Sequence, residues 1–126
     1  MPKLTHLGRV LVPVADQDEA IAFYTTTLGF SLTADDPFGE GDRWVEVTPP
    51  GGGAAIALVP PQGSYETGRM TGIALGSEDP AADHAELAGR GVDVDDQLLG
   101  GEGGVPRMFF FRDNDGNTLM VVEDRR

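Results

Sequence analysis

Apolar residues come in short runs along this chain, and the period of each run predicts the element it forms. Val10, Val12 and Val14 alternate with Arg9, Leu11 and Pro13, the two-residue period of a strand with two different faces. The period then changes. In "QDEAIAFYTTTLGF" the residues Ala20, Phe23, Tyr24, Thr27 and Leu28 fall at helical intervals and give one buried face. Asp16 suits the N-cap, Glu19 completes a capping box, and Gly29 suits the C-cap. Three strands are predicted next, at 30–34, 43–48 and 54–59, separated by loops at 35–42 and 49–53.

The second half repeats this order. A short strand is predicted at 71–79, with Asp79 as N-cap and Pro80 at the favoured first helical position. The alanine-rich "AADHAELAGR" reads as a helix closed by Gly91. Strands are predicted at 92–99, 107–112 and 118–122, the last two joined by a hairpin at 113–117. Asp115-Gly116 marks that turn, because glycine accepts positive φ without a steric penalty. Asp16 and Asp79 are 63 residues apart, and Gly29 and Gly91 are 62 apart. The fold class is therefore α+β, built from two βαβββ modules. Module one spans about 4–60, the linker 61–70 and module two about 71–126, and the short linker predicts one shared domain.

Composition narrows the functional classes. There is no cysteine among the 126 residues, which excludes disulfides and thiolate metal sites. No apolar run approaches the roughly 20 residues of a membrane span, and the first six residues are too short and polar for a signal peptide. A cytoplasmic protein with no membrane partner is expected. Nine basic residues against 21 acidic ones give a net charge of −12. That balance disfavours nucleic acid, which needs a basic surface to displace counterions. It would attract cationic ligands, although a solvated acidic face is the simpler reading.

Two segments carry a resemblance. With "VPVADQDEAIAFYTTTLGF" after the first strand and "FRDNDGNTLMVVE" at the end, the chain resembles the vicinal oxygen chelate superfamily. That group includes glyoxalase I, extradiol dioxygenases and bleomycin-resistance proteins. The resemblance implies that the modules form a curled mixed sheet around a cleft, with helices on the outer face. It also implies where metal enzymes of the group place their ligands. Those positions correspond here to Arg9 and Gly72, seven residues before each capping aspartate, to Ala57, and to Met120 after the D-G-N turn. None is a metal ligand, and arginine brings a fixed positive charge where a cation would sit. Neither a metal nor another cofactor is expected. His6 and His84 do not replace the missing ligands, since one precedes the first strand and the other lies within the second helix.

Strand parity then predicts the lining of the cleft. Arg9 brings Leu11 to the same face, Gly72 brings Ala74 and Gly76, and Met120 brings Thr118 and Val122. Val45 and Val47 read as core, which turns Trp44 and Glu46 to the cleft. Met108 with Phe110 is the pair assigned to the cleft, with Phe109 and Phe111 as the alternative. Phe38 and Tyr65 lie in glycine-rich loops, as lids or as subunit contacts. Small residues beside aromatic ones suit a flat, hydrophobic or aromatic ligand. The competing reading makes the same residues ordinary core.

Catalytic signals are sparse. No Ser-His-Asp or Cys-His arrangement is visible, and "PPGGGAA" precedes a strand rather than a helix, so it reads as a hairpin and not a phosphate loop. Glu46 has no evident partner for general base work. The leading expectation is a metal-free protein that sequesters an aromatic or hydrophobic antibiotic or natural product. The alternative is an isomerase, lyase or dioxygenase of the same superfamily acting on a small metabolite. A third is an interaction module with no small ligand. The bleomycin-resistance comparison implies a homodimer with clefts at the subunit interface.

Overall fold

The computed structural model describes residues 1–124. The chain divides into two compact units, Met1–Thr67 and the part from Gly68 onward. The boundary falls inside the expected linker. Each unit has the order βαβββ and its own four-stranded sheet.

In the first unit the strands are β1 (Arg9–Pro13), β2 (Ser31–Pro37), β3 (Arg43–Thr48) and β4 (Ala55–Val59), in the sheet order β1-β4-β3-β2. β1 pairs with β4 in parallel, and the other pairs are antiparallel. Helix α1 (Gln17–Ala22) begins where Asp16 accepts the Glu19 backbone N–H at 3.1 Å. It does not continue as a regular helix. Residues Phe23–Thr27 form a wider π-helical turn, in which the Leu28 N–H reaches the Phe23 carbonyl at 3.1 Å. Thr25 accounts for part of this, because its hydroxyl donates to the Ile21 carbonyl at 2.7 Å and competes with the helical ladder. Gly29 then ends the segment at φ 83°.

One face of the sheet packs against this helix. Val12, Leu58 and Val45 are fully buried neighbours across three strands, and Val47 and Ile56 form the next row. Tyr24 is fully buried from the helical side, with Phe23 and Phe30 edge-on to its ring. β2 runs three residues beyond its predicted end. Asp35 tolerates the strand because Arg43 on the neighbouring strand pairs with its carboxylate at 2.9 Å. A register shift between Leu32 and Ala34 places a bulge at Thr33.

The second unit has β5 (Met70–Ser77), α2 (Pro80–Gly89), β6 (Asp93–Val94), β7 (Met108–Arg112) and β8 (Thr118–Glu123), in the sheet order β5-β8-β7-β6. Asp79 caps α2 by accepting the Ala82 N–H at 3.2 Å. Phe109, Phe111 and Leu119 are fully buried, and His84 of α2 stands edge-on to Phe109 at 5.0 Å. The sequence expectation fails at the third strand. In place of 92–99, only Asp93–Val94 form a strand, with one further bridge from Leu99 to Met108. Asp95 still donates its backbone N–H to the Phe110 carbonyl at 2.9 Å, but residues 95–97 are polar and exposed, with no face to bury, and the strand ends there.

The hairpin after β7 is held by side chains. Asp113 accepts the Asp115 and Asn117 backbone N–H groups at 2.8 and 3.0 Å. Asn117, fully buried, donates to Asp113 at 3.1 Å and accepts the Gly68 and Arg69 N–H groups at 2.9 and 3.2 Å. It therefore ties the start of the unit to its last turn. No helix among the described residues is long and apolar enough to cross a membrane.

Candidate functional site

The face of the first sheet that points away from the helix carries the polar and aromatic side chains. Register places Leu11 beside Ala57, Ala57 beside Glu46, and Glu46 beside Ala34. Ala57 is fully buried and contributes only a methyl group to this row. Trp44 and Glu46, two residues apart on β3, share the face, as strand parity requires. The indole N–H of Trp44 donates to Glu46 Oε2 at 2.6 Å. Arg9 Nε donates to the same oxygen at 3.0 Å. The Glu46 side chain is 13% exposed and that of Arg9 50%, so a largely covered carboxylate holds a half-open guanidinium. Two donors on one oxygen compensate a carboxylate for lost water.

Beside this network lies a cavity of about 560 Å³. Leu11, Phe38, Trp44 and Tyr65 line it, together with Val59 and Pro60. Phe38 meets Trp44 edge-to-face at 6.2 Å, and the Tyr65 hydroxyl donates to the Leu11 carbonyl. Tyr65 reaches that position from a tight turn in which Gln62 and Tyr65 exchange backbone hydrogen bonds at 2.8 and 3.1 Å. Four of the residues singled out from the sequence thus meet at one cavity, with Arg9, Glu46 and Ala57 on adjoining strand positions.

Further wall residues escaped the sequence reading. Asp42, Arg43 and Gln62 also line the cavity. Arg43 is bound by Asp18 at 2.8 Å and Asp35 at 2.9 Å. These bonds raise its pKa still further above the ordinary arginine range. Gln17 anchors the same corner: its amide donates to the Arg43 and Leu58 carbonyls at 2.7 and 2.9 Å and accepts the Arg43 N–H at 3.2 Å. The available signal was position alone, since Arg43 adjoins Trp44 and Gln62 lies in the supposed linker.

The remaining predicted residues lie in the second unit. Register sets Met108 beside Val122 and Val122 beside Gly76, and Phe110 beside Met120 and Met120 beside Ala74. Met108, Phe110 and Met120 are half-buried on the face opposite α2, while Phe109 and Phe111 face the helix. Gly72 has φ 75° within a register shift between Met70 and Ala74. Two residues beyond Phe110 on β7, Arg112 pairs with Asp93 at 3.0 Å and with Asp95 at 2.8 Å.

A divalent metal does not fit the four positions that the superfamily comparison implies. They offer a guanidinium already bonded to Glu46, a methyl group, a glycine and a thioether. A hard or borderline cation needs carboxylate, imidazole or thiolate donors that converge. Among the described residues no group of three or more His, Cys, Asp or Glu side chains is placed to hold one. His6 is exposed beside Thr5. His84 Nε2 donates to the Asp95 carbonyl at 2.6 Å, which fixes that nitrogen as the protonated one.

The chain is similar to several known proteins over nearly its whole length. TnmS3, an antibiotic binding protein from Streptomyces sp. CB03234, is 35% identical with a TM-score of 0.84, and the match covers 99% of this chain and 100% of that one. A glyoxalase/bleomycin resistance protein/dioxygenase superfamily member from Sphaerobacter thermophilus is 31% identical with a TM-score of 0.86, covering 96% and 98%. The Bacillus subtilis protein YetH, itself uncharacterized, is 29% identical, covering 95% of this chain and 99% of its own. The family model for the Glyoxalase/Bleomycin resistance protein/Dioxygenase superfamily matches residues 6–121, and the chain belongs to that superfamily.

Proposed function

We propose that the chain is a metal-free binding protein that sequesters a hydrophobic or aromatic small molecule, an antibiotic or related natural product, and leaves it unchanged. The cavity of about 560 Å³ rimmed by Phe38, Trp44 and Tyr65 carries this reading. Its volume and its mix of aromatic walls with few polar groups are those of a small-molecule site. Similarity to an antibiotic binding protein supports the same class of ligand. The donor set at the four superfamily metal positions supports binding without a metal. In this reading the protein acts in the cytoplasm as a homodimer and confers resistance by holding the drug. Light scattering that gives the mass of one chain would remove the dimer from it.

The test uses the single tryptophan. The protein is titrated with aromatic and glycopeptide antibiotics while Trp44 fluorescence is followed, and each ligand is recovered for mass spectrometry. Saturable quenching with an unchanged ligand mass is the expected result. A changed mass with turnover makes the protein a lyase or dioxygenase instead, and conversion to a product of the same mass but different chromatographic retention makes it an isomerase.

A further inference from the structure

We infer that Arg9 is a specificity determinant of the cavity and that its terminal nitrogens receive a neutral carbonyl oxygen at the edge of a flat aromatic ligand. This rests on the binding function proposed above and names its ligand more closely.

Three observations lead to it. First, Arg9 is held from one side only. Its Nε donates to Glu46 Oε2 at 3.0 Å, and its terminal nitrogens take no protein partner among the described residues. Second, the holding carboxylate is itself fixed. Glu46 is largely covered, and Trp44 donates to the same oxygen at 2.6 Å. The bond through Nε limits rotation of the planar guanidinium, so its outer edge is a preorganised pair of donors. Third, the network adjoins the cavity. Leu11 follows Arg9 by two residues on the same face of β1, and both Leu11 and Trp44 line the wall.

Charge selects the class of acceptor. Glu46 already balances Arg9, and the chain carries a net charge of −12. An anionic ligand meets a neutralised pair inside a negative protein, so its charge gains little. A neutral carbonyl needs no counter-charge and accepts from both terminal nitrogens at once. A hydrogen bond to a charged group is worth about 1.5–3 kcal/mol, which corresponds to roughly ten-fold or more in affinity.

Equilibrium dialysis with three probes of one ring system tests this. Fluorene has no oxygen, 9-fluorenone adds one carbonyl, and fluorene-9-carboxylate adds an anion. The unaltered protein is expected to retain 9-fluorenone at least about ten-fold more tightly than fluorene. It is also expected to retain it more tightly than the carboxylate. Arg9→Met keeps an apolar stem and removes the donors, so that variant should retain 9-fluorenone no more tightly than fluorene. Equal retention of fluorene and 9-fluorenone overturns the role of Arg9 and leaves the cavity's binding function standing. Preference for the carboxylate overturns the neutral-carbonyl assignment. Retention of none of the three overturns the binding function together with this inference.

Discussion

The two units share one order of elements and use the sheet face that points away from the helix differently. In the first, that face carries Arg9, Trp44 and Glu46 in one hydrogen-bonded group, with an aromatic-walled cavity beside it. In the second, the corresponding strands present Gly72, Ala74, Met108, Phe110 and Met120. The helix-packed faces differ little in kind, since both bury β-branched or aromatic residues. The second unit's polar contacts lie at the end of β7, where Arg112 pairs with Asp93 and Asp95, and in the hairpin, where Asp113 and Asn117 satisfy one another and the neighbouring backbone. Duplicated frameworks can thus keep the core and diverge on the face that the core does not need.

Substitutions sharpen this contrast, beginning with the largest expected effect. Phe109→Ala removes a fully buried ring that packs on His84 and should cost about 3–5 kcal/mol in urea unfolding. Phe110→Ala, one residue along on the half-buried face, should cost only about 1 kcal/mol. Equal costs for the two would abolish the distinction between the helix-packed face and the opposite one. Asn117→Ala removes the acceptor of the Gly68 and Arg69 N–H groups and the buried donor to Asp113, and should cost about 1–3 kcal/mol. Thermal melting that is unchanged by it would show that the hairpin is not a structural tie.

Glu46→Gln should cost less than about 1 kcal/mol in stability, because its partner Arg9 is half-exposed. It should nevertheless shift Trp44 emission, because the indole N–H loses a charged acceptor. A large loss of stability with unaltered emission would assign Glu46 to the framework rather than to the site.

The smallest effect is electrostatic and lies in the second unit. Arg112 holds the Asp93 carboxyl below the ordinary carboxylate range through paired hydrogen bonds at 3.1 and 3.0 Å. A depressed folded pKa stabilises above the unfolded value, near pH 4, and that contribution is lost as pH falls through the folded pKa. Asp93→Asn should therefore be slightly less stable than the parent at pH 7, with the difference vanishing in acid. A difference that grows on acidification would reverse the sign and refute the pairing.

Much of the framework was legible because it rests on local rules. Asp16, Gly29, Asp79, Pro80 and Gly91 punctuate helices by capping chemistry that needs no tertiary context. Parity on β3 separated Val45 and Val47 from Trp44 and Glu46, and the structure buries the valines completely. The misreadings have tertiary causes. β2 extends because Arg43 pairs with Asp35 across strands, and no pattern within 31–37 carries that information. The π-helical turn follows in part from the Thr25 hydroxyl, and the predicted strand at 92–99 shrinks where its polar residues find no face to bury.

The candidate site was legible in part for the same reason. Leu11, Trp44 and Glu46 follow from alternation, and Phe38 and Tyr65 from their loops. The position of Arg43 at the cavity depends on packing of α1, through Gln17 and Asp18, against the start of β3. The run Phe109–Phe111 was ambiguous because every residue is aromatic. Only the helix, through His84, distinguishes the inner pair from Phe110.

The most direct test of ligand binding in the first unit is the indole N–H cross-peak of Trp44 in a nitrogen-15 correlation spectrum. Titration with the antibiotics should move that single peak saturably, together with the Leu11 amide, while the Phe109 and Leu119 amides stay in place. Movement confined to the strands of the second unit, with the Trp44 peak unmoved at saturation, would contradict the account.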